Sequence, residues 1–175
     1  KDEHLLASVL KPARYINNEL NSYNKIPTEN TVNFCLAFPD VYEIGMSHLG
    51  MSILYEKINQ QTPYALERVF TPWPDMEAKL IENDLPLVSL ESQTPLFQFP
   101  TVGFSLQYEL NYTNILSILE RGKISLLSSQ RKEEEPLIIG GGPMTVNPEP
   151  LADFFDLFLI GDGEECILIN KRRKL

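Results

Sequence analysis

The chain has 175 residues, 43% of them hydrophobic and 22% charged, with a formal net charge of −9. It is too apolar for a disordered chain, and its length suits one domain with a core of its own. Two cysteines (Cys35, Cys166) and two histidines (His4, His48) are too few for a disulfide scaffold, a four-cysteine zinc or iron–sulfur site, or a three-histidine metal site built from this chain alone.

No run reaches the ~18 uninterrupted apolar residues of a membrane span. The opening KDEHLLASVLKPARY carries acids and lacks the basic-then-apolar order of a secretory leader, so a soluble, cytoplasmic protein is expected. Lys171-Arg172-Arg173-Lys174 supplies four positive charges, so the remaining chain is more acidic still. Such a surface disfavours a nucleic-acid backbone as partner.

Residues 1–30 are expected to be an N-terminal helical extension. A short helix over Leu5–Leu10 is broken by Pro12, and a second is expected over Ala13–Tyr23, before Pro27 and Asn30 mark a loop. Val32–Phe38 is a nearly continuous apolar run stopped by Pro39, the pattern of a strand buried on both faces. Ser47 is a candidate N-cap for a helix over Leu49–Gln60 with Leu49, Ile53, Leu54 and Ile58 on one stripe.

Glu67–Thr71 is the second predicted strand. A helix over Asp75–Asn83 follows with Trp73, Met76 and Leu80 on its apolar side, then a short strand at Leu87–Leu90. Val102–Leu106 is a third buried strand and Asn111–Arg121 the next helix, with Gly122 as its stop. Ile124–Leu127 is a candidate extra strand, and Arg131–Glu135 reads as a solvated charged loop. Leu137–Ile139 is a strand ending in Gly140-Gly141-Gly142-Pro143, Pro150–Phe155 a helical turn or two, and Leu157–Ile160 the last strand. Cys166–Ile169 would begin a final helix.

Strand and helix alternating about five times define an α/β fold, a doubly wound and mainly parallel five-stranded sheet with helices on both faces. Ligands of such sheets bind beyond the carboxyl ends of the strands. The segments there are Pro39–Ser47, Ser105–Asn111, Gly140–Met144 and Gly161–Glu164. The first carries Asp40 and Glu43 and no G-x-G-x-x-G, which argues against a phosphate-gripping flavin or dinucleotide loop. A phospho-acceptor receiver needs an Asp ending the third strand, where this chain has Ser105-Leu106-Gln107.

Asp40-Val41-Tyr42-Glu43-Ile44-Gly45 resembles the D-x-H-x-x-G loop of cobalamin-binding domains, with Tyr42 where that family has its cobalt-ligating histidine. A neutral phenol with a pKa near 10 is a poor cobalt ligand. The wider pattern resembles the N-terminal B12-binding-like domain of radical S-adenosylmethionine proteins over almost the whole chain. It includes Lys11–Tyr15, Phe38–Ser47, Glu67–Phe70, Pro72–Glu77, Ser89–Ser92, Gly103–Asn114, Gly140–Pro143, Asn147–Asp153 and Gly161–Glu165.

That resemblance implies a Rossmann-like or flavodoxin-like domain over 31–170, with 171–175 as the start of a linker to a radical SAM barrel in cis. It implies a cobalamin held base-off without a histidine ligand, contacted by Asp40, Tyr42, Gly45, Ser105, Gln107, Gly140, Gly141 and Gly142. Asp162, Glu164 and Glu165 would face the barrel. The [4Fe–4S] cluster and S-adenosylmethionine would belong to that barrel, whose C-x3-C-x2-C motif this chain lacks, so no catalytic residue or metal ligand is assigned here. The competing expectation is a degenerate domain that binds no cofactor and docks on or gates the barrel; the missing histidine favours it.

Overall fold

The computed structural model describes residues 2–25, 32–161 and 163. Five strands, β1 (Asn33–Phe38), β2 (Ala65–Phe70), β3 (Thr101–Ser105), β4 (Leu137–Gly141) and β5 (Leu157–Leu159), form one sheet in the order β2-β1-β3-β4-β5. Every neighbouring pair is parallel, with Cys35 opposite Glu67 and Val102, and Gly103 opposite Ile139. The doubly wound architecture is therefore present. The connections reverse direction between β1 and β3, the position where such sheets open a crevice.

Alternation along the strands sorts the core onto two faces. Cys35 and Ala37 of β1, Val102 and Phe104 of β3 and Ile138 of β4 pack with Met76 and Leu80 of helix α4 (Pro74–Glu82) and Ile115, Ile118 and Leu119 of helix α5 (Tyr112–Arg121). On the opposite face Phe38 and Phe70 meet Met51, and Leu66 meets Tyr55 and Ile58, all three from helix α3 (Leu49–Gln61). A five-residue helix α2 (Tyr42–Met46) joins β1 to α3. His48, not Ser47, caps α3: its Nδ1 accepts from the Met51 amide at 3.3 Å, while the Ser47 hydroxyl donates to the Glu43 carbonyl.

Helix α1 spans Asp2–Leu6, but the expected second helix over Ala13–Tyr23 is absent; only Pro12–Arg14 forms a 3-10 turn. Burial along the segment alternates instead of following one helical stripe, with Leu20 fully exposed and Ile16 partly so, and Asn17 bonds Asn24 rather than supporting a helix. It runs instead as a strap over the carboxyl ends of β1 and β2. The Leu10 amide donates to Asp75, the Trp73 amide donates to the Tyr15 hydroxyl, and Gln93 donates to the Tyr15 carbonyl.

Leu87–Leu90 is likewise no strand. It folds back on itself, with Ser89 N donating to Thr94 O, Leu96 N to Leu87 O and Gln93 at φ +57°. In that form it covers the β2 edge: the Leu90 amide donates to the Arg68 carbonyl and the Glu91 carboxylate accepts from the Arg68 amide. Covering of this kind blunts an edge strand against pairing with another chain.

Ile124–Leu127 is irregular for a related reason. The Arg131 guanidinium, expected in solvent, lies buried and donates to the Ser125, Leu126 and Phe154 carbonyls and to Asp156. No helix among the described residues is long and apolar enough to cross a membrane.

Candidate functional site at the carboxyl edge of the sheet

The loops that follow β1, β3 and β4 are tied to one another by polar groups from distant parts of the chain. Asp40 ends β1: its Oδ1 accepts from the Val41 amide at 2.7 Å and its Oδ2 from the Tyr108 hydroxyl at 2.8 Å. That bond, followed by burial and the Asp40 charge, raises the Tyr108 pKa. Asn114 of α5 donates to the Pro39 carbonyl, and the Thr71 amide donates to the Asp40 carbonyl. The Leu106 amide donates to the Gly141 carbonyl, and the Met144 amide to the Leu106 carbonyl. Gln107 donates to the Ser105 hydroxyl at 2.8 Å. Asp40, Ser105, Gln107 and Gly141 therefore share one rim, as the topology required.

Tyr42 and Gly45 turn elsewhere. Tyr42 packs edge-on against Phe70, and its hydroxyl donates to Glu19 of the strap at 2.9 Å. Burial, then the hydrogen bond to Glu19, pushes its pKa up to about 12. A phenol so held keeps its proton, so the position does not fit a cobalt ligand. A Cβ on Gly45 would lie 2.3 Å from the Phe70 ring and 3.2 Å from Phe38, so glycine is what lets α2 settle on the sheet.

The three glycines after β4 differ from one another. A Cβ on Gly140 would strike Leu106 and Phe158. Gly142 needs φ +107° beside the Leu106 backbone. Gly141 has nothing within 4 Å of a Cβ and leaves open ground on the rim. His48 packs on Phe38 with ring centroids 5.0 Å apart.

Asp162, Glu164, Glu165, the helix expected at Cys166 and the segment 171–175 lie outside the described residues. Among the described residues no group of three His, Cys, Asp or Glu side chains is placed to hold a metal. Cys35 is fully buried in mid-strand, and burial, then Glu91 and Glu67, pushes its thiol far up, so it does not fit a cluster ligand. The two cysteines of the chain cannot supply a three-cysteine motif.

Two features escaped sequence reasoning. The loops after β3, β4 and β5, which are neighbours in the sheet, each present one aliphatic side chain to solvent: Leu110 is 84% exposed, Val146 78% and Ile160 69%. The second is a charged network beneath the strap. Arg68 Nε donates to Glu91 Oε1 at 2.6 Å, its Nη2 to Glu19 Oε2 at 2.8 Å, and its guanidinium lies 4.0 Å over the Tyr55 ring. An arginine and a glutamate inside the otherwise apolar run Ala65–Phe70 were the signal available in the sequence. Arg14, also buried, repeats the theme, bonded to the half-exposed Glu43 at 2.7 and 2.6 Å and stacked 4.1 Å over Trp73.

A five-stranded parallel sheet whose carboxyl-edge loops are tied to one another defines an α/β domain of the doubly wound class. The family model for the N-terminal region of radical SAM proteins matches residues 50–171, and the chain belongs to that family. It is also similar to the uncharacterized protein MJ0966 of Methanocaldococcus jannaschii, 22% identical over 133 residues. That match covers 75% of this chain and 24% of the relative, so the chain spans about a quarter of that protein's length.

Proposed function

We propose that this domain docks through the carboxyl edge of its sheet onto a radical SAM domain in cis and gates access to it. The observation that carries the reading is the trio Leu110, Val146 and Ile160, nearly unburied aliphatics on three neighbouring loops. Solvent-exposed apolar groups collected on one rim mark an interaction surface. The family supplies the occupant, because its members precede a domain that carries the [4Fe–4S] cluster and S-adenosylmethionine. Much of a relative's length lies beyond the matched region, which agrees with a further domain.

The test is hydrogen exchange in the protein bearing both domains. Leu110→Asp with Val146→Asp should raise exchange at residues 106–111 and 142–147 while the iron content stays constant. Unchanged protection in those loops would place the interface on another face.

A second reading is favoured by the open ground at Gly141. It supports a ligand at the rim, and cobalamin without a histidine ligand is the one the sequence resemblance implies. Titration with hydroxocobalamin decides it: a saturable change in the visible spectrum, weakened by Gly141→Leu, supports cobalamin. An unchanged spectrum at high micromolar ligand removes it.

A further inference from the structure

Six large hydrophobic side chains among the described residues stand more than two-thirds in solvent: Leu10, Leu20, Leu49, Leu110, Val146 and Ile160. The next most exposed, Ile81, is at 57%. Scattered singly, such groups are ordinary; collected on one side, they mark an interaction surface. These six are collected. Leu110, Val146 and Ile160 follow β3, β4 and β5, and Leu49 opens α3 beyond β1. Leu10 and Leu20 sit on the strap that crosses the carboxyl ends of β1 and β2.

The strap holds its two leucines out while its other groups hold it down. The Leu10 amide donates to Asp75 at 2.8 Å and Val9 beside it is buried in the core, yet the Leu10 side chain is 86% exposed. Glu19 receives Tyr42 at 2.9 Å and Arg68 at 2.8 Å, yet Leu20 next to it is fully exposed. None of these fastenings uses a leucine side chain, so a polar residue at either position would keep them all. The fold gives no reason for an aliphatic group at either place, and a partner does.

Interface size points the same way. A stable interface takes roughly 20–30 residues from each side, and the loop tips 106–111, 142–147 and 160–161 supply about half that number. The strap and the turn from α2 into α3 lie along the same edge and supply the rest. The two halves are joined: Asp40 after β1 accepts from Tyr108, two residues before Leu110, and Tyr42 of α2 donates to Glu19. We propose that the strap is the second half of the docking surface, so that the radical SAM domain in cis seats on Leu10 and Leu20 as well as on the rim. The proposal rests on the docking reading above, and its occupant is the same domain because the surface is continuous with that rim.

The test is hydrogen exchange in the protein bearing both domains, with Leu10→Ser and Leu20→Ser set beside Leu110→Asp and Val146→Asp. The strap pair should raise exchange about fivefold at 106–111 and 142–147, the effect of removing one interface side chain that counts. It should leave those loops unchanged in the present chain alone. A rise there as well would place the effect inside this domain and overturn the proposal. Loops opened by the Leu110 and Val146 pair but not by the strap pair would also overturn it and leave the docking reading standing. No change from either pair would remove both. Because both strap leucines stand in solvent, the melting temperature of the chain alone should not move, and Leu20→Ser by itself serves should the pair lower it.

Discussion

Replacing Arg68 with methionine removes a buried cation beneath the strap and leaves its partners in place. The Arg68 side chain is 6% exposed and that of Glu91 2%, so Glu91 has almost no water to turn to. Breaking a buried pair by deleting one member costs about 3–5 kcal/mol. Glu19 softens little of this, because it is 21% exposed and keeps its bond from Tyr42. Loss of the guanidinium above Tyr55 adds ~0.5–1 kcal/mol. Since a domain of this kind is stable by about 5–15 kcal/mol in all, Arg68→Met should move the urea midpoint by a large fraction of its value at neutral pH.

The second substitution decides the cause. Glu91→Gln in the Arg68→Met background removes the stranded charge yet keeps an oxygen for the residue-68 amide, now served by Glu91 at 2.6 Å. It should recover at least half the loss. A stranded carboxylate also has its folded-state pKa raised above the unfolded one, so its penalty grows as pH rises through the unfolded value and fades in acid. The gap between wild type and Arg68→Met should therefore narrow from pH 7 toward pH 4. A single variant within ~1 kcal/mol of wild type, or a double variant less stable than the single, would refute this account of the network.

Gly45→Ala should cost about 1–3 kcal/mol by overpacking, read as a lowered melting temperature, because its Cβ would sit 2.3 Å from Phe70. The strap should release in acid. Backbone amides, led by that of Leu10, hold the Asp75 pKa low; burial raises that of Glu43, but the hydrogen bonds from Arg14, its own backbone and Trp73 outweigh it and leave it lowered. Carboxylates depressed in the folded state stabilise above their unfolded values, 3.8 for Asp75 and 4.5 for Glu43, and lose that contribution as pH falls through the folded ones. Emission from Trp73, stacked under Arg14, should shift over that window well before far-UV dichroism changes, and a single shared transition would count against a separately held strap.

Apolar residues at alternate positions made β1, β3 and β4 legible, since those are the positions each strand buries. The predicted strand Glu67–Thr71 starts two residues late and ends one late against β2, and its Glu67 and Arg68 break the apolar run of a strand buried at every position. Both are charged yet buried: Glu67 accepts from the Ser89 and Ser92 hydroxyls at 2.6 Å, and Arg68 is held by Glu91. Those partners lie more than twenty residues away, and no local pattern announces them. The same limit hid the site's wiring. Asp40 was marked by its place after β1, but its partner Tyr108 is 68 residues distant. Arg131 looked solvated because its acceptors are backbone carbonyls, which have no side-chain signature.

Helix α2 shows how one turn can serve three neighbours. Tyr42 and Glu43 bind the strap through Glu19 and Arg14, Ile44 faces solvent, and Gly45 lies flat against Phe70 and Phe38. Each successive residue points about 100° from the last, so the helix cannot rotate toward one neighbour without leaving another. In the D-x-H-x-x-G pattern the third position offers a nitrogen to a cofactor. Here a hydroxyl at that position donates to a carboxylate, and the same carboxylate receives Arg68 of β2. Tyr42 thus joins strap, helix and edge strand into one unit, and the Asp40 loop is tied to it through the Thr71 amide. Strap and rim meet through α2, since both hang on elements fastened by Tyr42 and Asp40. Tyr42→Phe, which deletes the bond to Glu19 but keeps the ring on Phe70, should loosen that link without unfolding the sheet. Faster hydrogen exchange confined to residues 12–24 and 40–47 is the expected signature, and uniform exchange throughout the domain would show that no such unit exists.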